Sequence, residues 1–121
     1  MERVNFIQYK GVSILIEDFS SLRPGQEFSD TVQTAQKLIA QRPPKSVLAL
    51  LDATNVTFNS EVLTKMKDFV QANTPYVKCA TVVGVTGLLS VALTTLSKAA
   101  GRNFHSFATR QEAMDFLATQ K

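Results

Sequence analysis

The sequence predicts an α/β fold in the order β-β-α-β-α-β-α-β-α, with a mixed, mostly parallel sheet and one antiparallel edge strand. Three observations carry that prediction. Val47 to Leu51 is a run of five consecutive apolar residues, too short for a helix and without alternation, which is how a strand covered on both faces reads. After it, segments with helical apolar spacing alternate with further short apolar runs, and that alternation needs right-handed crossovers between parallel strands. Before it, two period-two segments flank Lys10-Gly11, the pattern of a hairpin.

The elements follow in order. Val4 and Phe6 alternate with polar residues before Ile7 and Tyr9 take over, which suits a partly covered strand at the sheet edge. Gly11 accepts the positive φ of a tight turn, and Val12, Ile14 and Ile16 form the second strand. Ser20 to Gly25 is a loop in which Pro24 suits the first turn of a helix, because its missing N–H would be unpaired there anyway. Phe28, Val32, Ala35 and Ile39 then make one apolar stripe, and Pro43-Pro44 ends the helix at about Arg42.

The central strand runs into Asp52 and a short polar loop. Ser60-Glu61 opens the next helix, with Ser60 as an N-cap, Glu61 as a first-turn carboxylate, and Val62, Met66, Phe69 and Val70 as its apolar face. This helix ends near Asn73, with Pro75 as a stop signal. Val77 to Val83 is a covered strand, and Gly84-Val-Thr-Gly87 turns into a helix for which Thr86 is the expected N-cap. From Leu88 to Ala100 that helix is apolar almost all round. Leu89, Ala92, Leu93 and Leu96 form its buried stripe, while Leu88 and Val91 lie beside it and either extend the core or leave a patch for association. Gly101 terminates it, Phe104 to Phe107 is a short last strand, and Thr109-Arg-Gln-Glu112 is a capping box for a final helix docked by Ala113, Phe116 and Leu117.

Size and composition set limits. At 121 residues the chain is expected to be a single domain, 1–121, with a sizeable core; 19% charged and 45% apolar residues are ordinary globular values. No run approaches the ~18 apolar residues of a membrane span, and Met1 to Asn5 has no basic, apolar leader pattern, so a cytoplasmic location is expected. Thirteen Lys and Arg residues against ten acidic ones give a net charge of +3, but the cations are scattered along the chain, which argues against a nucleic-acid partner. The lone Cys79 reads as a small core residue.

No catalytic constellation emerges, and neither a cofactor nor a metal is expected. Metal ligation would need more than one His and one Cys at suitable spacing, and no serine lies in a nucleophile elbow. His105, between Phe104 and Phe107, is expected to be half-buried and structural. Asp52 and Thr86 echo a phospho-accepting receiver domain, which also needs acidic residues after its first strand and a lysine after its last. Here Glu17-Asp18 follows a hairpin strand and Ala108 stands in the lysine's place, so Asp52 is expected to bond backbone N–H groups of its own loop. Gly84, Thr86 and Gly87 precede a helix, where backbone N–H groups can cradle an anion; a tight turn for close packing is the stronger reading.

The element order and the motif Asp52-Ala-Thr-Asn-Val-Thr-Phe-Asn-Ser60-Glu61 resemble the STAS family, the anti-sigma-factor antagonist fold typified by SpoIIAA. Pro75-Tyr-Val-Lys78, Val83-Gly-Val-Thr-Gly87 and the stretch from Gly101 to Leu117 are similar to its bacterial SpoIIAA-like (STAS/SEC14) group. The resemblance implies a signalling or regulatory module that binds a protein partner and is not an enzyme. Antagonists of this kind read roughly Asp-x-Ser-x-Val-x-Phe-x-Asp-Ser-Ser-Gly-Leu after the central strand, and the serine after the second Asp is phosphorylated. Asp52, Val56 and Phe58 match, whereas Ser60 stands at the second Asp and Glu61 at the serine, so the usual phosphoserine is missing. A phosphate would bring nearly two negative charges to the helix start, where Glu61 brings one.

Two sites are expected from this. Asp52, Asn55, Thr57, Asn59, Ser60, Glu61 and Lys65 would form a partner-binding surface at the loop and helix after the central strand. Alternatively, in a small-molecule or lipid-binding SEC14-like domain, Gly84, Thr86, Gly87, Leu88, Val91 and Phe104 would surround a ligand between the apolar helix and the sheet. That helix could also pair two copies of the chain as a homodimer.

Overall fold

The computed structural model describes residues 3–57, 59–101 and 104–120 and, at Leu88, the backbone alone. Nine elements follow the predicted order: β1 Val4–Tyr9, β2 Val12–Asp18, α1 Gln26–Ala40, β3 Val47–Asp52, α2 Ser60–Asn73, β4 Val77–Val83, α3 Leu88–Ala100, β5 His105–Phe107 and α4 Arg110–Ala118. They build one five-stranded sheet of order β1-β2-β3-β4-β5, antiparallel between β1 and β2 and parallel elsewhere. The mixed α/β class and the antiparallel edge strand are as the sequence predicts.

Parity along each strand divides the core. Leu15, Val47, Ala49 and Ala80 face one side, where they meet Phe28, Val32, Ala35 and Ile39 of α1, Val62, Met66, Phe69 and Val70 of α2, and Leu96 of α3. Ile14, Ile16, Leu48, Leu50 and Val83 face the other, against Ala113 and Leu117 of α4. Three helices on one face follow from three right-handed crossovers between strands that keep one direction across the sheet. β3 is thereby covered twice, and Leu50 is completely buried. β1 reverses its buried parity midway, with Val4 and Phe6 against one core and Ile7 and Tyr9 against the other.

Several boundaries differ from the sequence reading for local backbone reasons. Pro24 lies ahead of α1 and not in its first turn, because Gly25 at φ 141° is the non-helical cap residue. The cap of α2 is Asn59, whose Oδ1 accepts from Val62 N at 2.8 Å, and Ser60 is the first helical residue. Thr86 does not cap α3. Gly87 does, with no side-chain bond, at φ 53° and ψ −124°, a conformation closed to a threonine. Thr109 caps α4 as expected, its Oγ1 accepting from Glu112 N at 3.2 Å and donating to Glu112 Oε1 at 3.1 Å. His105 is exposed, not half-buried, and stacks against Phe116 with ring centroids 4.7 Å apart.

Candidate functional site

The C-terminal ends of the parallel strands converge on one edge of the molecule, and the loops leaving them are tied together. Asp18 and Asp52 are Cα partners at the ends of β2 and β3. Each is followed two residues later by a hydroxyl residue and makes the same small loop motif. Asp18 Oδ1 accepts from Ser20 N at 3.0 Å and Ser20 Oγ at 2.5 Å, and Asp52 Oδ1 accepts from Thr54 N at 3.0 Å and Thr54 Oγ1 at 2.6 Å. A short polar side chain that bonds the backbone two residues on lets a strand end without a run of unpaired N–H groups. The backbone completes the tie. Phe19 N donates to Asp52 O, Ser21 N to Thr54 O, Ala53 N to Val83 O and Thr57 N to Leu22 O, all within 3.0 Å.

Two arginines close the arrangement. Arg110, in the first turn of α4, donates from Nε to Asp52 Oδ2 at 2.8 Å and brings Nη2 within 3.4 Å of Asp18 Oδ1. Arg3 donates from Nη1 to the carbonyls of Asp18 and Ser20 at 3.1 and 3.0 Å. Asp52 is buried, and burial alone would push its carboxyl up; the bonds from Thr54 and Arg110 outweigh that and hold it below the usual aspartate value. Two neighbouring carboxylates with Arg110 between them and Arg3 beside Asp18 make a charge-balanced structural bracket. Among the described residues no group of three or more His, Cys, Asp or Glu could hold a metal ion.

Gly84 shows how tightly the loops are packed. It adopts φ 79°, and a Cβ there would sit 2.4 Å from Thr54 Oγ1 and 2.7 Å from the Thr54 backbone. The close-packing role of the Gly84 turn is therefore met directly, against the β3–α2 loop.

The bracket displays a polar surface. Asn55 stands at φ 57°, a left-handed conformation that asparagine tolerates. Asn55, Thr57, Asn59, Ser60 and Glu61 are exposed, whereas Val56 turns inward against the core. Lys65 lies 3.2 Å from Glu61 one helical turn away and donates to Ser29 Oγ of α1 at 2.8 Å. Asp52, expected within this surface, lies beneath it as its anchor. Phe58 of the loop motif lies outside the described residues. Arg110, Asp18 and Arg3 escaped the sequence reading. The repeated Asp-x-Ser/Thr at two strand ends was the local signal available for the two aspartates, and no local signal points to the arginines.

Beneath the same loop, the sheet and helices α1 to α3 line a partly open apolar pocket with a volume of about 100 Å³. Small residues line it, Ala49 of β3, Ala53 just after that strand, Ala80 of β4 and Ala92 of α3, and their small volume leaves the space. Phe104, Leu89, Leu93 and Leu96 also line it. Of the residues expected around a ligand there, Phe104 takes part and Val91 does not, since it points outward at 66% exposure on the far side of α3. Gly84, Thr86 and Gly87 lie in the β4–α3 turn, whose Val85 reaches the cavity, and the side chain of Leu88 is outside the described residues.

Comparison with known proteins adds the fold family. No protein-family model and no curated protein matches the sequence. Among solved structures, an anti-sigma-factor antagonist (STAS) domain protein from Planctomyces limnophilus superimposes with a TM-score of 0.58 at 13% identity, over 97% of this chain and 98% of that one. The fold is a STAS fold. At 13% identity the likeness is one of backbone architecture, and it agrees with the element order and the sheet described above. No helix among the described residues is long and apolar enough to cross a membrane.

Proposed function

We propose that this STAS domain is a non-enzymatic regulatory module that binds a protein partner through the β3–α2 loop and the first turns of α2. The observation that supports it most is the way the loop is held. Asp52 fixes its base through Thr54 and Arg110, so the outward side chains of Asn55, Thr57, Asn59, Ser60 and Glu61 are presented with little conformational entropy left to lose on binding. The likeness to a solved anti-sigma-factor antagonist domain agrees with this reading. A glutamate at the α2 start carries permanent charge near the positive end of the helix dipole, so the surface would be constitutively competent and not gated by a phosphoserine.

The test is affinity capture from cells of the source organism with the wild type and with the double variant Glu61→Lys/Lys65→Glu. The exchange keeps the attraction between the two positions while inverting the charge pattern of the surface. The partner captured by the wild type should be lost from the double variant. Undiminished capture by a folded double variant would eliminate this surface.

The cavity supports a second reading, binding of a small molecule. Apolar space of about 100 Å³ left unfilled costs packing contacts that a filled core would make. An apolar cavity of that kind is also what most ligand sites offer.

A further inference from the structure

β1 ends the sheet, with no strand beyond it among the described residues, and its backbone is set out for pairing. Lys10 and Gly11 both stand at positive φ, 48° and 83°, in a two-residue loop closed by the pair Tyr9 and Val12. In such a hairpin the closing pair exchanges hydrogen bonds, and every second residue then turns its N–H and C=O outward. The bond from Asp18 N to Arg3 O at 2.7 Å fixes the same parity at the far end. Val4, Phe6 and Gln8 therefore direct their backbone polar groups toward the open edge.

Edge strands are ordinarily defended by a charge, a proline or a bulge. Val4-Asn-Phe-Ile-Gln-Tyr9 has none of these, and its register with β2 runs unbroken from Val4 to Tyr9. The outward residues are also spaced symmetrically about Phe6. Two copies of β1, antiparallel about a twofold axis at Phe6, set Val4 against the partner's Gln8 and Phe6 against the partner's Phe6, so each outward group meets a complement.

α1 supplies the charge pattern that selects a second copy as the occupant. As the crossover from the end of β2 to the start of the parallel β3, it runs along β1 in the same direction. Arg3 bonds Glu27 at its start at 3.3 Å, and a groove of about 610 Å³ between helix and strand is lined by Val4, Phe6, Asp30, Thr34 and Leu38 among others. Acidic Glu27 and Asp30 lie in the first half of the helix, basic Lys37 in the second half and Arg42 just beyond, all of them exposed. Asp30 and Lys37 are two turns apart and share one side of the helix. The twofold that pairs the strands lays α1 antiparallel to its copy on the same face of the sheet, bringing Asp30 toward the partner's Lys37. An isolated peptide strand would leave this pattern unanswered.

We propose that β1 is a homodimer interface. Two copies pair β1 edge to edge, antiparallel about Phe6, and join their five-stranded sheets into one, with the two α1 helices side by side over the join. α3, with its exposed Val91, takes no part.

Sedimentation equilibrium and amide hydrogen exchange test this. The wild type should dimerise, and the amides of Val4, Phe6 and Gln8 should slow by about tenfold or more between dilute and dimeric concentrations. Gln8→Pro removes an N–H that β2 does not use, so it should keep the hairpin and weaken the dimer roughly tenfold or more. Asp30→Lys and Lys37→Glu should each weaken it by roughly threefold or more, and combining them should restore it, because the exchanged charges meet again across the axis. A wild type that stays monomeric at millimolar concentration overturns the proposal. So does a dimer whose three edge amides exchange no more slowly than in dilute protein, or one that folded Gln8→Pro forms as tightly. The exchange pattern needs no variant and decides the matter should Gln8→Pro not fold.

Discussion

One guanidinium, that of Arg110, sits 2.8 Å from Asp52 and 3.4 Å from Asp18, joining the start of α4 to the ends of two adjacent strands. The helix on one face of the sheet thus fixes the loop that emerges toward the other. Because Asp52 is buried, loss of its charged partner is expected to be felt in stability as well as in loop order. Arg110→Met should destabilise the fold by about 1.5–3 kcal/mol, the usual worth of a hydrogen bond to a charged group, while Thr54 still holds the other oxygen of Asp52. Urea denaturation with an unchanged m-value is the measurement, and Arg110→Lys should recover only part, since a point charge cannot span both carboxylates as the fork does.

Two carboxyls, Asp52 of the bracket and Asp115 of α4, set an acid limit. Asp52 is held below its ordinary value of 3.8, and Asp115 is lowered to about 2 by hydrogen bonds from Lys10, Tyr9 and Gln111. A carboxyl whose folded pKa lies below its unfolded one stabilises the fold above the unfolded value, and that contribution disappears as pH falls through the folded value. Stability should therefore decline from pH 3.8 down to about pH 2. The decline should be shallower in Asp52→Asn, as read from melting temperature against pH; an unchanged slope would contradict the role given to Asp52.

Gly84→Ala is expected to be strongly unfavourable. A Cβ 2.7 Å from the backbone of Thr54 cannot be relieved by a rotamer change, and φ 79° adds strain of about 1–3 kcal/mol. Calorimetry should show a clear fall in melting temperature, and backbone NMR shifts should spread into residues 53–57.

The α2 cap separates two adjacent candidates. Asn59→Ala should cost about 1 kcal/mol by removing the acceptor for Val62 N, while Ser60→Ala should be nearly neutral, because Ser60 lies inside the helix and is exposed. Chemical denaturation of the two variants decides between them.

Filling the void tests its cost. Ala92→Leu should raise stability by about 1 kcal/mol or more if the added side chain occupies the cavity without clash, since each buried methylene contributes about 0.8 kcal/mol. A lower melting temperature would mean that the space is smaller or less yielding than the cavity suggests.

What the chain's own order determines is its set of elements. Apolar period, proline stops and the Lys10-Gly11 turn are local, acting over at most a few residues, so the nine segments, the covered β3 and the Thr109 cap are legible in the sequence. Even locally there was a limit: Asn59 and Ser60 are both good caps, and only the backbone angles select the first. The parts that matter to the site are of another kind. Arg110 and Asp52 are separated by 58 positions and share no pattern that a reading along the chain could detect. The cavity is a property of facing surfaces, created where alanines on β3, β4 and α3 meet, and no periodicity records what lies opposite a side chain. Glu17 looks like an ordinary strand residue until the packing of three helices takes water away from it. Tertiary structure decided these features because they depend on which surfaces meet, and a linear pattern specifies only which residues of one element share a face.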